Sequence, residues 1–300
     1  MSYLPGTQAD DTLRGTIGSD LILGHQGDDV LFGRAGSDVL LGGAGNDFIA
    51  GDNYFLLTEP YASANYGPIL GSTPGPGNNL ILGGAGDDTV LAGYGANTVF
   101  GGAGDDSIMG YGTIPSHDME LYEALPQHLH GGAGNDFIRG SSSDDLLAGG
   151  AGRDTLQGST GVDALVGGGG RDVFMFGYLA TYGGARDTAV GPAERDIIRD
   201  FHHGQDVIDI SGYYNHHAPP RGQPAGIFLG TGDFVVSYAM QARYDIEDGN
   251  TIIKISAPNG FRNVDDPPEK PTTYWQEIEL TGIHHLTASD FILPDSLGPF

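Results

Sequence analysis

Three hundred residues include 52 Gly, 17 Pro and no Cys, and 39 Asp+Glu face 13 Lys+Arg for a formal charge of −26. With Lys254 and Lys270 the only lysines, a nucleic-acid partner is excluded, since such affinity rests on cations neutralising phosphates; the missing cysteines exclude disulfides, zinc–thiolate sites and thiol catalysis. So acidic a chain resists compaction unless cations join it.

In chain order, Met1-Ser2-Tyr3-Leu4-Pro5-Gly6 has neither a basic start nor an apolar stretch of signal-peptide length. No later segment approaches ~18 consecutive apolar residues. Neither a cleaved export signal nor a membrane span is expected. From Gly6 a nine-residue period sets in. Gly33-Arg34-Ala35-Gly36-Ser37-Asp38-Val39-Leu40-Leu41 runs directly into Gly42-Gly43-Ala44-Gly45-Asn46-Asp47-Phe48-Ile49-Ala50. Fourteen units follow this frame, five over 6–50, four over 74–109 and five over 131–175. Position six is Asp11, Asp20, Asp29, Asp38, Asp47, Asp88, Asp106, Asp136, Asp145, Asp154, Asp163 and Asp172, with Asn79 and Asn97 the exceptions. Position eight is apolar throughout, from Leu13 and Ile22 to Phe174, and position four is Gly in twelve units.

Each regularity has a physical cause. The glycines permit positive-φ turns whose carbonyls converge, and carbonyls with carboxylates are the donors a hard cation prefers. Positions seven to nine form a short strand whose middle residue plugs the core. Two units make one coil, so units i and i+2 stack at about 4.8 Å and share a cation. The expected ligands are the twelve position-six aspartates and the expected cofactor is Ca²⁺, up to twelve ions, which would bring the formal charge from −26 to −2.

Residues 6–175 resemble the repeats-in-toxin (RTX) family, whose glycine- and aspartate-rich nonapeptides form a calcium-binding parallel β-roll. The resemblance implies an all-β chain: a right-handed parallel β-roll over 1–176, then a β-rich cap over 177–300. It also implies export by a type I secretion apparatus through an uncleaved C-terminal signal, and folding on extracellular calcium.

Two stretches, 51–73 and 110–130, break the frame and read as enlarged turns of units six and ten, leaving the same edge two coils apart. They carry Tyr54, Phe55, Tyr61 and Tyr66, and Tyr111, Met119, Leu121 and Tyr122, with a short helix expected over 119–125. Aromatic residues on turns suit a glycan or protein partner, or else form a private core over a weakened edge. Asn79 and Asn97 deprive the site between units six and eight of both carboxylates, leaving it empty or dependent on Asp52, Glu59 or Asp118.

Beyond Phe176, strands are expected over 196–201, 206–210, 234–239, 251–255 and 275–280, as an antiparallel sandwich or cap. Asp196-Ile197-Ile198-Arg199-Asp200-Phe201, Gly204-Gln205-Asp206-Val207-Ile208-Asp209-Ile210-Ser211 and Leu286-Thr287-Ala288-Ser289-Asp290-Phe291-Ile292-Leu293 resemble the C-terminal domain of serralysin-type proteases, which implies a cap bearing the export signal. Those proteases place a zinc domain before the roll, whereas five residues precede the first repeat here, so the catalytic part is expected to be missing. No His-Glu-x-x-His, Gly-x-Ser-x-Gly or phosphate-loop motif occurs. The pairs His202-His203, His216-His217 and His284-His285 sit badly for one metal, because strand neighbours face opposite ways. Asp196, Asp200, Asp206 and Asp209 either hold a junctional Ca²⁺ or are ordinary strand-end carboxylates. The expected function is a secreted, calcium-loaded structural component of a cell surface or matrix with self-association as a route to assembly; the alternatives are an adhesin binding surface glycan and a module of a hydrolase or polysaccharide-modifying enzyme.

Overall fold

The computed structural model describes residues 1–52, 77–110, 125–177, 188, 190–212, 226–235, 240–256 and 276–294. The aromatic residues of both insertions, Glu59, Asp118, most of the helix expected over 119–125 and the His216-His217 pair lie outside them. The chain forms two compact units, Met1–Asp154 and Thr155–Phe300.

In the N-terminal unit the short strands that the period dictates follow one another: β1 (Ser2–Pro5), β2 (Thr12–Arg14), β3 (Asp20–Gln26), β4 (Val30–Arg34), β5 (Val39–Ala44), β6 (Phe48–Asp52), β7 (Leu80–Ala85), β8 (Thr89–Leu91), β9 (Thr98–Ala103), β10 (Ser107–Met109), β11 (His128–Ala133), β12 (Phe137–Arg139) and β13 (Leu146–Gly152). Odd-numbered strands make one parallel sheet and even-numbered strands a second. This is a parallel β-roll. Ile22 aligns with Leu40, Leu40 with Ile81 and Val99 with Leu129, so the insertions leave the register intact. The middle residue of each strand turns inward, and Ile22, Leu31, Leu40, Ile49, Ile81, Val90, Val99, Ile108, Leu129, Ile138 and Leu147 are fully buried. Each such plug contributes roughly 1.5–3 kcal/mol of burial.

One element departs from the fourteen-unit count. β11 stands between β9 and β13, so the second insertion belongs to a further unit, with Leu129 as its plug and Gln127 at position six. β10 and β12 are neighbours in the even sheet, and the chain must pass once through the odd sheet between them. The turn of that unit, and not of 131–139, is the enlarged one.

The C-terminal unit contains β14 (Thr155–Gln157), β15 (Ala164–Gly170), β16 (Val173–Gly177), β17 (Asp196–Ile198), β18 (Val207–Gly212), β19 (Gly226–Phe228), β20 (Met240–Glu247), β21 (Asn250–Ser256), β22 (Gln276–Leu280) and β23 (Phe291–Ile292). β14, β16, β18 and β23 stack in parallel, as do β15, β17 and β22. Among the described residues the expected antiparallel arrangement is confined to β20–β21–β22. Parallel stacking persists past Phe176 because Ile198 and Ile208 supply the same buried plug without the nine-residue spacing. The strand expected over 234–239 is not seen at Phe234 or Val235, and β20 begins at Met240. Arg195 bonds Glu277 at 3.1 Å and Glu279 at 2.8 Å, pinning the segment before β17 to β22. No helix among the described residues is long and apolar enough to cross a membrane.

Ile108→Ala removes one fully buried plug and is expected to cost about 2–5 kcal/mol in urea unfolding at saturating calcium. Ile246→Ala, at a side chain 43 % exposed, is expected to cost about 0.5 kcal/mol or less.

Candidate metal centre

The coil geometry brings the position-six side chains of alternate units into columns. In the first column the backbone N–H of Asp11 donates to Oδ1 of Asp29, and the same bond links Asp29 to Asp47, Asp47 to Asp88, Asp88 to Asp106, Asp106 to Asp136 and Asp136 to Asp154, all at 2.8–2.9 Å. In the second column Ser2 donates to Asp20 at 3.1 Å, Asp20 to Asp38 at 2.8 Å, Asp38 to Asn79 at 2.9 Å, Asn79 to Asn97 at 2.8 Å, and Gln127 to Asp145 at 2.8 Å. The C-terminal unit has two such links, Asp163 to Asp196 at 2.8 Å and Asp172 to Asp206 at 3.1 Å. All twelve expected aspartates thus take equivalent places; Asp11 is half-buried and the others are buried.

One carboxylate oxygen per aspartate is used up in stacking. The other is not: Oδ2 of Asp29, Asp38, Asp47, Asp88, Asp106 and Asp136 is buried without a hydrogen-bond partner. Beside each lies the position-one glycine of its own unit. A methyl added to Gly42 would fall 2.2 Å from Asp47 Oδ2 and 2.6 Å from the Gly83 carbonyl oxygen; at Gly83 the distances are 2.3 Å to Asp88 and 2.5 Å to Gly101. The cradle at Gly101 lies 2.2 Å from Asp106 and 2.7 Å from the Gly131 oxygen. Only glycine leaves room for an anionic oxygen and a carbonyl of the next coil to face the same space, and this all-oxygen donor set suits Ca²⁺ and not a softer metal. Among the described residues no three acidic or histidine side chains gather at a point, as expected where backbone carbonyls supply most of the donors.

Burial without a counter-charge pushes the carboxyls of Asp38, Asp47, Asp106, Asp136, Asp145 and Asp154 up to about 6, and that of Asp88 to about 7; the charge of neighbouring aspartates adds to this at Asp47 and Asp88. Asp20 goes the other way. Burial raises it, yet the Thr16 N–H and hydroxyl and the Ser2 N–H donate to it and leave it below the ordinary value.

The second column loses its carboxylates at Asn79, Asn97 and Gln127. Of the three residues named as substitutes for the site between units six and eight, Asp52 alone is described; it is buried, its carboxyl is pushed to about 7 by burial, and Asn79 draws it partly back. A further column was not anticipated. At position five, Asp10, Asp28, Asn46, Asp87, Asp105 and Asn135 link head-to-tail in the reverse direction, each later backbone N–H donating to the Oδ1 of the coil before it at 2.6–2.9 Å. The recurring Asp-Asp and Asn-Asp pairs were its visible signal. The junctional aspartates do not converge: Asp196 and Asp206 end columns, Asp200 accepts from Gly167 and Gly168 at 2.9 and 2.8 Å, and Asp209 accepts from Ser211 at 2.8 Å. His202 and His203 approach different carboxylates, Asp206 and Asp290.

The family model of the RTX calcium-binding nonapeptide repeat, four copies long, matches residues 5–40, 26–53, 73–108, 127–156 and 139–174. No curated protein matches the chain by sequence. Among solved structures, the R3 subunit of the AlgE6 mannuronan C5-epimerase from Azotobacter vinelandii is 23% identical, with 75% of this chain and 81% of that one covered and a TM-score of 0.24. The R2 subunit of the same epimerase is 23% identical, with 65% and 91% covered and a TM-score of 0.26. The extracellular lipase LipA of Serratia marcescens is 16% identical, with 97% and 39% covered and a TM-score of 0.22.

Gly42→Ala places its methyl on the cradle and is expected to lower the number of bound calcium ions, counted by native mass spectrometry. Acid acts in a fixed direction. A buried carboxyl whose folded value is raised penalises the metal-free coil above about pH 6–7, and the penalty lifts as pH falls through that range. Calcium must displace those protons, so the calcium concentration for half-maximal folding is expected to rise as pH drops from 7.5 through 6 to 5, as followed by circular dichroism.

Proposed function

We propose that this chain, an RTX calcium-binding repeat protein, is a secreted structural component of a cell surface or matrix that folds when it meets extracellular calcium. The observation that carries this reading is the column of buried Oδ2 atoms, each one coil from the next and each beside a glycine cradle. In our reading Asp11, Asp20, Asp29, Asp38, Asp47, Asp88, Asp106, Asp136, Asp145, Asp154, Asp163 and Asp172 supply the side-chain ligands and position-one carbonyls the remainder. Sites of this open kind belong to the ~10⁻⁴ to 10⁻³ M class of extracellular modules, so cytosolic calcium leaves them unfilled and the chain stays unfolded for export through a type I apparatus. The segment from Leu286 to Leu293 is our candidate for part of the export signal.

Support for a scaffold comes from the outward face of the odd sheet. Leu80 and Phe100 are 38 % and 42 % exposed there, and Leu23, Leu41 and Leu82 are only half-covered beside them. An apolar row along a parallel sheet favours side-by-side association. A second reading, glycan binding near the insertions, is favoured by the ring of Phe100 stacked on that of His130, centroids 4.9 Å apart, His130 standing on the unit that bears the second insertion and Phe100 on the unit beside it.

Circular dichroism is expected to show a largely disordered chain in chelator and a β spectrum at millimolar calcium; a native-like spectrum in chelator would sink the coupling. Electron microscopy of concentrated calcium-loaded protein separates the roles, with ordered assemblies supporting the scaffold and discrete monomers that retain polysaccharide supporting the second reading.

A further inference from the structure

Three successive units of the second column are built differently from the rest. At unit six the point beside Gly51 lies 2.3 Å from the Ala92 oxygen, but its other near neighbour is the Asn79 amide nitrogen at 2.7 Å, a donor where the cradles at Gly6, Gly15, Gly24, Gly33, Gly42, Gly83, Gly101 and Gly131 have a carboxylate oxygen; at Gly110 the nearest side-chain oxygen is the neutral Gln127 Oε1 at 3.2 Å. At unit eight, position one is Ala92 instead of glycine, and it is fully buried, so its own methyl stands where the cradle is elsewhere. Asn97 Nδ2 there donates to the Gly93 and Gly95 carbonyls, both at 3.3 Å. At the next unit Gln127 Nε2 donates to Gly93 O at 3.0 Å and to Gly110 O at 2.6 Å. Gly110 O is the position-one carbonyl that the register elsewhere aims at the cradle of the unit two before it.

These residues do not fit Ca²⁺ as the aspartates do: the Asn97 and Gln127 N–H groups occupy carbonyl oxygens a cation would need, Asn79 Nδ2 stands where a carboxylate oxygen does elsewhere, a methyl stands at Ala92, and the one side-chain oxygen at Gly110, Gln127 Oε1, carries no charge. We infer that Asn79, Ala92, Asn97 and Gln127 form a cation-free clamp, in which Asn79 and Asn97 link coils by accepting backbone N–H bonds at Oδ1, the Asn97 amide ties carbonyls of its own turn, and Gln127 Nε2 reaches Gly93 O of the coil before it. The clamp lies on the edge from which both insertions depart. In the same units Phe100 and His130, directly paired between β9 and β11, stack their rings. Calcium loading of the N-terminal unit is then lopsided, with oxygen-lined cradles at Gly6, Gly24, Gly42, Gly83, Gly101 and Gly131 on one edge and at Gly15 and Gly33 on the other. Protein between the coils replaces metal where large turns must enter.

This inference rests on calcium filling the carboxylate cradles, and the experiment separates the two. Bound calcium is counted by native mass spectrometry in the parent and in Asn79→Asp, which converts the unit-six point to two oxygens beside an existing glycine. One additional ion in the variant is expected. An unchanged count in a calcium-loaded variant would overturn the clamp and leave the calcium reading standing; no calcium in the parent would overturn both. Gln127→Ala provides a readout independent of stoichiometry. Amide exchange of Ala92 and Gly110 in calcium-saturated protein is expected to quicken about ten-fold or more, with the calcium count unchanged. A count lowered by one would show that Gln127 is a metal ligand and overturn the clamp, as would anomalous scattering from calcium beside Asn79, Asp52 or Ala92.

Discussion

Like charges stacked one coil apart are the constraint on which everything else depends. At about 5 Å and an effective dielectric near 20, two carboxylates repel by roughly 3 kcal/mol, and the first column of the N-terminal unit places seven in succession. Burial aggravates the conflict by removing water. The carboxyls of Asp47 and Asp88 are raised accordingly, first by burial and then by the charge of neighbouring aspartates. A divalent cation between successive rungs turns the same column from repulsive to attractive. The core of one plug per unit is thin, and it works because each plug sits in a coil whose turns the cation draws together.

Division of labour within one carboxylate follows from this. Oδ1 accepts the amide of the preceding coil's aspartate and sets the stacking register, while Oδ2 is left facing the glycine cradle. Neither task suffices alone. Amide bonding without the cation leaves buried charge; a cation without the amide link leaves the coils free to slide. The glycine is part of the same device, because at Gly42 a methyl would collide with both oxygens.

Most of the roll was legible from the nine-residue period, because one side chain per period carries each duty: Asp47 for charge, Ile49 for the core, Gly42 for space. The unit around Gln127 escaped notice because its turn is interrupted and its position six lacks the acid, although Leu129 just before Gly131-Gly132 kept the strand's signature. Asp196 and Asp206 read either as junctional calcium ligands or as strand-end carboxylates, not as the last rungs of columns, since the intervals from Asp163 and Asp172 exceed eighteen residues and hydrogen bonding, not spacing, restores the register. Periodicity also could not reveal that Asn97 and Gln127 donate inward. Asparagine and glutamine look in sequence like weak substitutes for aspartate, and their amides do the opposite of what its carboxylate does.

A stack of interchangeable rungs has no internal address. Away from the insertions, sliding one column by a whole coil, eighteen residues, would re-pair aspartate with aspartate and plug with plug at little cost. Ala92, Asn97 and Gln127 break that degeneracy: displaced by a coil, the methyl would collide with a carboxylate and a carbonyl oxygen, and the amides would lose the carbonyls they now hold. The odd residues serve as a key among identical teeth, admitting only one alignment of the winding.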